Sequence, residues 1–216
     1  MQALPPASRQ AGPLRLGAYG RYTAQKGFDL LIAAMRLVPP HVASLDLAGY
    51  GEDAAALHRA AAHLPHVRVH GPCDGPARFL AGIDCVVVPS RWEAFGLVAL
   101  EARAAGRPVI ATAVDGLVEQ MALSWGELVP PNDPVALAAA IHRMAARDLA
   151  PMAAAARRSA EGRQERKVTA WRDLLLTLTS RGPDRPGRLA EMRIGRGTGV
   201  AECEPARLAE CESRRC

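Results

Sequence analysis

Along this chain, short apolar runs alternate with longer stretches in which apolar residues recur every three or four positions. Leu14–Tyr19, Leu45–Ala48, Val67–His70 and Val109–Ala111 have the length and composition of strands. Asp84–Val88 is apolar throughout after its first residue, as expected of a strand covered on both faces. A further short apolar stretch spans Glu127–Val129. Between these runs the spacing predicts a helix over Phe28–Leu37, with Leu30, Leu31, Ala34 and Met35 on one face. It predicts others over Glu52–Leu64 (stopped by Pro65), part of a short one at Arg78–Ala81, and one from about Phe95 to Ala105. Val135–Ala146 reads as a long Ala-rich helix with Asp133 as its N-cap, and a final helix is expected over Gln164–Leu178.

Strands and helices alternating at this spacing build right-handed βαβ units. The predicted fold class is α/β, a Rossmann-like open parallel sheet with helices on both faces. Such sheets bind ligands beyond the carboxyl ends of their strands. The loops to search are therefore 20–27, 49–51, 71–75, 89–95 and 112–116.

The pattern also divides the chain. Residues 1–13 carry Pro5, Pro6, Gly12 and Pro13 without periodicity and read as a linker remnant. Residues 14–180 hold every predicted element. From Arg181 to Cys216 Gly, Arg and Glu dominate and the periodicity vanishes, so disorder is expected there. An apolar share of 49% with 23% charged residues suits a folded domain. The net charge of +5 suits an anionic ligand, but the cations lie among acids and form no aromatic-studded stripe, so no nucleic-acid partner is expected. The five cysteines form no C-x-x-C pair, no G-x-S-x-G elbow or G-x-G-x-x-G fingerprint occurs, and His58, His63, His66 and His70 lack a ligand pattern. A metal site, a disulfide scaffold, a serine hydrolase and a dinucleotide dehydrogenase are all disfavoured. With no leader-like or membrane-spanning apolar run, a cytoplasmic location is expected.

Two segments carry the chemistry. Gly20-Arg21-Tyr22-Thr23-Ala24-Gln25-Lys26-Gly27 joins the first strand to the first helix and holds two cations where a helix start favours an anion. Lys occurs only at 26 and 167 in a chain that otherwise uses Arg, so Lys26 stands out. Two solvated loop cations are the plain alternative. The second segment follows Pro89: Glu93 lies in the loop, and Phe95-Gly96-Leu97 opens a helix whose free N–H groups can meet phosphate or sugar oxygens. Glu101 falls among Leu97, Val98, Ala99, Leu100 and Ala102 on a helix expected to be buried on most sides, where a carboxylate needs donors such as a ribose diol. Equally, Glu101 could reach solvent together with Arg103, and Glu93 could be a first-turn acid favoured by the helix dipole. Gly49-Tyr50-Gly51 could admit a ligand or be a plain turn.

Taken in order, these segments resemble the C-terminal, donor-binding domain of family 4 type, retaining glycosyltransferases with the GT-B fold. The resemblance runs from Leu14 to Leu178. Gly20-Arg21 and Gln25 to Leu31 resemble the phosphate-binding loop; Pro89-Ser90 leads to Glu93 and Glu101, the family's glutamate pair with seven residues between; Gly106 to Thr112 and Leu128 to Asp133 complete the series. By that resemblance Arg21 and Lys26 would hold a donor diphosphate without a metal ion, and Glu101 the ribose hydroxyls. Glu93 would contact the transferred sugar, beside Gly20 and the backbone of Phe95, Gly96 and Leu97. Contacts around Gly71–Gly75 would set base selectivity. The implied reaction moves a sugar from a nucleotide-diphosphate sugar to an acceptor hydroxyl with retention, with no cofactor. The N-terminal acceptor-binding domain is not recognisable here, so a separate acceptor domain is an expected partner, and nucleotide binding without transfer is expected of the isolated chain. A non-catalytic nucleotide-sugar-binding module would keep the same site. A sugar-nucleotide epimerase of the same fold would need acid/base groups that the sequence does not offer. Asp115-Gly116 departs from the glycine pair common in the family.

Overall fold

In the computed structural model, residues 12–121, 124–161 and 163–180 are described. The expected disorder of 181–216 and nearly all of the 1–13 linker lie outside them. The described residues up to Thr169 belong to one compact unit and those from Ala170 to a second. The first unit is built on six strands: β1 Leu14–Arg21, β2 Ala43–Tyr50, β3 Val67–His70, β4 Cys85–Val88, β5 Val109–Thr112 and β6 Gly126–Val129. All pairs are parallel and the order is β3-β2-β1-β4-β5-β6. The predicted Rossmann-like sheet is therefore present.

The helices are α1 Phe28–Met35, α2 Ala54–Ala61, α3 Pro76–Ala81, α4 Leu97–Ala104, α5 Asp115–Gln120, α6 Pro134–Ala145, α7 Leu149–Ala160 and α8 Arg163–Ser180. Strand alternation sends β1 side chains to two cores. Leu14, Leu16 and Ala18 join Leu31, Ile32 and Met35 of α1 and Ile141 and Met144 of α6. Tyr19 points to the other face, with Ala99 and Ala102 of α4 and Leu117 of α5. Asp133 caps α6 as expected, its carboxylate accepting from the N–H groups of Val135 and Ala136 at 2.9 Å. Sequence reading missed α5 and α7.

The topology fixes where a ligand can enter. The strand order reverses between β1 and β4, the position at which sheets of this kind open a crevice at their carboxyl ends. β1 pairs with β2 along its whole length, Leu14 to Arg21. Its ladder to β4 covers only Leu16–Cys85 and Gly17–Val86. The carboxyl end of β1 is thus held on one side only. At the opposite end, Arg15 grips the buried Asp84 with Nε and Nη2 of its guanidinium, at 3.0 and 2.6 Å, closing the sheet below the crevice.

Candidate functional site

The loop after β1 tightens at once. Ala24–Lys26 makes a single 3-10 turn and Gly27 leaves it in the left-handed region, at φ 65°, to start α1. Glycine is required there twice over. A side chain would strain the backbone, and a Cβ would lie 2.1 Å from the carbonyl oxygen of Pro89. The loops after β1 and β4 therefore touch backbone to backbone. Their bond set crosses the crevice: Arg91 N donates to Gln25 O at 2.8 Å, and Gln25 Nε2 to Trp92 O at 3.2 Å. The Arg91 guanidinium reaches Ala24 O at 2.7 Å and both carboxylate oxygens of Asp29, at 2.9 and 2.7 Å. Arg91 thereby holds the Asp29 carboxyl below its ordinary pKa, and Asp29 raises that of Arg91.

This brace brings the two predicted loops together. Lys26 Nζ donates to Glu93 Oε2 at 2.6 Å, with the side chains only 18% and 13% exposed. The two residues are 67 apart in sequence. The picture of Lys26 as a solvated loop cation is corrected: an ammonium this enclosed is bound to its carboxylate. Arg21, at the tip of β1, is exposed, and Gly20 beside it is half-buried. Gly49 and Gly51 lie against this same loop. A Cβ on Gly49 would meet Gly20 O at 1.9 Å, and one on Gly51 would meet Tyr22 O at 2.4 Å. Their smallness serves packing of the β2 loop on the β1 loop.

The helix that follows Glu93 starts later than expected. Phe95 and Gly96 precede it, and Gly96, at φ 79° and buried, caps α4 at Leu97. Leu97 is 61% exposed, but Ala99, Ala102 and Arg103 are buried and Val98, Leu100 and Glu101 half-buried, so α4 is covered on most sides as expected. One turn further on, Glu101 is half-buried and accepts a hydrogen bond of 2.6 Å from the Tyr19 hydroxyl. Burial, and then Glu101 itself, push the Tyr19 phenol above its ordinary pKa, so it remains a donor. The alternative in which Glu101 accompanies Arg103 into solvent fails. Arg103 is 2% exposed; its guanidinium carbon lies 4.8 Å from the Trp125 ring centroid, and it donates to Gln120 O and Oε1 at 3.3 and 3.2 Å.

The β5 loop closes the other side. Gly116 N donates to Glu93 O at 3.1 Å, and Asp115 Oδ2 lies 3.4 Å from Glu93 N. Asp115 has φ 33°, a conformation costly for a residue with a side chain. It occupies the position where the sequence departs from a glycine pair. Next to the 71–75 loop a pocket of about 370 Å³ opens, lined by Asp46, Ala48, His70, Cys73 and Phe79 among others. His58, His63 and His70 are exposed, while the half-buried His66 places Nε2 3.1 Å from Met35 O. Among the described residues no cluster of His, Cys, Asp and Glu could hold a metal ion, and no helix is long and apolar enough to cross a membrane.

Tyr19, Arg91 and Asp29 are site residues that the sequence reading did not single out. A tyrosine two residues before the end of the first strand was the one available signal for Tyr19. Nothing local marks the pairing of Arg91 with Asp29, 62 residues away.

The assembled geometry can hold an anion and a polyhydroxylated group side by side, and known proteins bear the same fold. Relatives by sequence include a D-inositol 3-phosphate glycosyltransferase of Xylanimonas cellulosilytica, 39% identical over 145 residues, covering 63% of this chain and 34% of the relative. A glycogen synthase of Mycobacterium tuberculosis is 36% identical over 170 residues, covering 72% of this chain and 38% of the relative. The solved structure of Anabaena HepE in complex with UDP and glucose superposes with a TM-score of 0.69 at 27% identity, over 79% of this chain and 49% of HepE. Sucrose-phosphate synthase from Thermosynechococcus elongatus gives 0.69 at 32% identity, over 78% and 46%. The chain thus spans about a third of the length of these relatives by sequence and about half that of the solved structures. Residues 13–147 match the family described as "Glycosyl transferases group 1". With that match over more than half of its length, the chain belongs to the group 1 glycosyltransferase family.

Proposed function

We propose that residues 14–180 are the donor-binding domain of a retaining glycosyltransferase, working with an acceptor-binding domain outside this stretch. The donor is a nucleotide-diphosphate sugar seated in the crevice between β1 and β4. Arg21 and Lys26 hold its diphosphate, and Glu101, oriented by Tyr19, takes the ribose hydroxyls. Glu93 contacts the transferred sugar, beside Gly20 and the backbone of Phe95, Gly96 and Leu97. The base lies toward the 71–75 loop and its pocket.

The observation that carries this reading is the enclosed meeting of Lys26 and Glu93 at 2.6 Å across the topological switch point. One cation for phosphate and one carboxylate for hydroxyls, side by side, match the chemistry of a sugar diphosphate. That HepE was solved with UDP and glucose supports the same ligand class.

Transfer to an acceptor hydroxyl then needs stabilisation of the departing diphosphate. Lys26 and Arg21 supply it electrostatically, in a site braced before the ligand arrives, so that a metal ion is dispensable. The sugar keeps its anomeric configuration, and no cofactor takes part. Calorimetric titration with UDP and with ADP, in EDTA, tests the reading. The wild type should bind one of them, and Lys26→Ala and Glu101→Gln should each weaken binding by about tenfold or more, equivalent to ~1.4 kcal/mol. No binding by the wild type, or equal binding by the variants, rejects the site.

A further inference from the structure

We propose that the Lys26–Glu93 ion pair makes the site distinguish an intact nucleotide-sugar donor from the spent nucleoside diphosphate, favouring release of the latter. This rests on the donor-site reading above.

The two side chains are bonded to each other at 2.6 Å and are largely enclosed. Neither can leave the other without a replacement, because a lone charge in such surroundings is costly. A bare diphosphate offers a replacement to only one of them. It draws Lys26 away and leaves the Glu93 carboxylate without a donor, beside a ligand of its own sign. An intact donor satisfies both, since its phosphates accept from Lys26 while its sugar hydroxyls donate to Glu93. Once the sugar has been transferred, Glu93 competes for Lys26 and weakens its hold on the diphosphate.

The backbone makes this a change of partners in place. Glu93 is fixed through Gly116 N to its carbonyl at 3.1 Å, and the Lys26 loop through Arg91 N to Gln25 O at 2.8 Å. The neighbouring Asp115 carboxylate, 3.4 Å from Glu93 N, adds no cation that could take over from Lys26.

The test compares affinities for UDP and UDP-glucose, and for ADP and ADP-glucose, in the wild type and in Glu93→Gln, with melting curves for both proteins. Glu93→Gln frees Lys26 and removes the stranded charge. It should bind the diphosphate roughly three- to tenfold more tightly than the wild type, and the affinity ratio of sugar donor to diphosphate should fall. Should Glu93→Gln fail to fold, Glu93→Asp, which withdraws the carboxylate by one methylene, should shift both quantities in the same direction. Unchanged or weaker diphosphate binding by the folded variant, or an unchanged ratio, overturns the proposal. Failure of the wild type to bind any of the four probes instead overturns the donor-site reading itself.

Discussion

Replacing Gly27 by alanine tests the brace on which the site depends. The new Cβ would stand 2.1 Å from Pro89 O, and contacts below 3.0 Å essentially do not occur, so the two loops must part by about 1 Å. The bond from Arg91 N to Gln25 O would then stretch from 2.8 Å beyond hydrogen-bonding range, and Lys26 would draw away from Glu93. The left-handed conformation at φ 65° adds about 1–2 kcal/mol for a residue with a side chain. The lost backbone bond adds about 1 kcal/mol. The sum, roughly 2–3 kcal/mol, corresponds to a fall in Tm of about 4–12 °C for a protein of this size. Urea denaturation gives the free energy, and a diphosphate titration of the same variant should show affinity reduced by about tenfold. Gly12→Ala is the control: it shares a positive φ, at 139°, but its Cβ would meet nothing within 4 Å and it lies outside the loops assigned to the ligand. It should lose stability through strain alone and leave binding intact. A Gly27→Ala protein that melts within 2 °C or so of the wild type and binds diphosphate equally well would refute the argument.

Tyr19→Phe removes the donor to Glu101 while keeping the ring in its edge-on contact with Phe79, 5.3 Å between centroids. It should cost about 1 kcal/mol of stability and weaken nucleotide binding several-fold; unchanged affinity would mean that Tyr19 does not orient Glu101. Arg91 depresses the pKa of Asp29, so this pair contributes stability that is present above the ordinary carboxylate pKa and is lost as pH falls through the lowered one. Carboxyl NMR should find Asp29 titrating below the usual range in the wild type and returning to about 4 in Arg91→Ala; no change on substitution would contradict the brace.

Much of this was legible in the sequence because strands β1, β4 and β5 are short apolar runs with few other readings. Asp133 ahead of Pro134 and Val135 likewise announces a helix start, and the observed cap follows it. α7 escaped because its buried face is Leu149, Met152, Ala153 and Ala156 in an Ala-rich stretch containing Pro151. Small residues give little contrast between a buried and an exposed face. Asp115-Gly116 reads as a turn, yet α5 begins there because its Leu117 is fully buried against the second core. Glu93 and Lys26 could be named one by one. That they bind each other could not, since their contact is made by the strand order and by the backbone approach at Gly27. The choice between the two readings of Glu101 and Arg103 stayed open for a related reason: a lone arginine on an apolar helix suggests solvent, and only the fold supplies Trp125 and Gln120.

In the proposed function, the carboxyl end of the β1–β4 crevice binds the diphosphate of a sugar nucleotide. Mapping backbone amide shifts on titration with UDP, or with ADP if UDP fails, tests it most directly. The changes should gather at residues 20–27 and 93–101, with smaller ones at 71–75. Shifts centred on Arg15 and Asp84 at the opposite end of the sheet, or no shifts with either nucleotide, would contradict it.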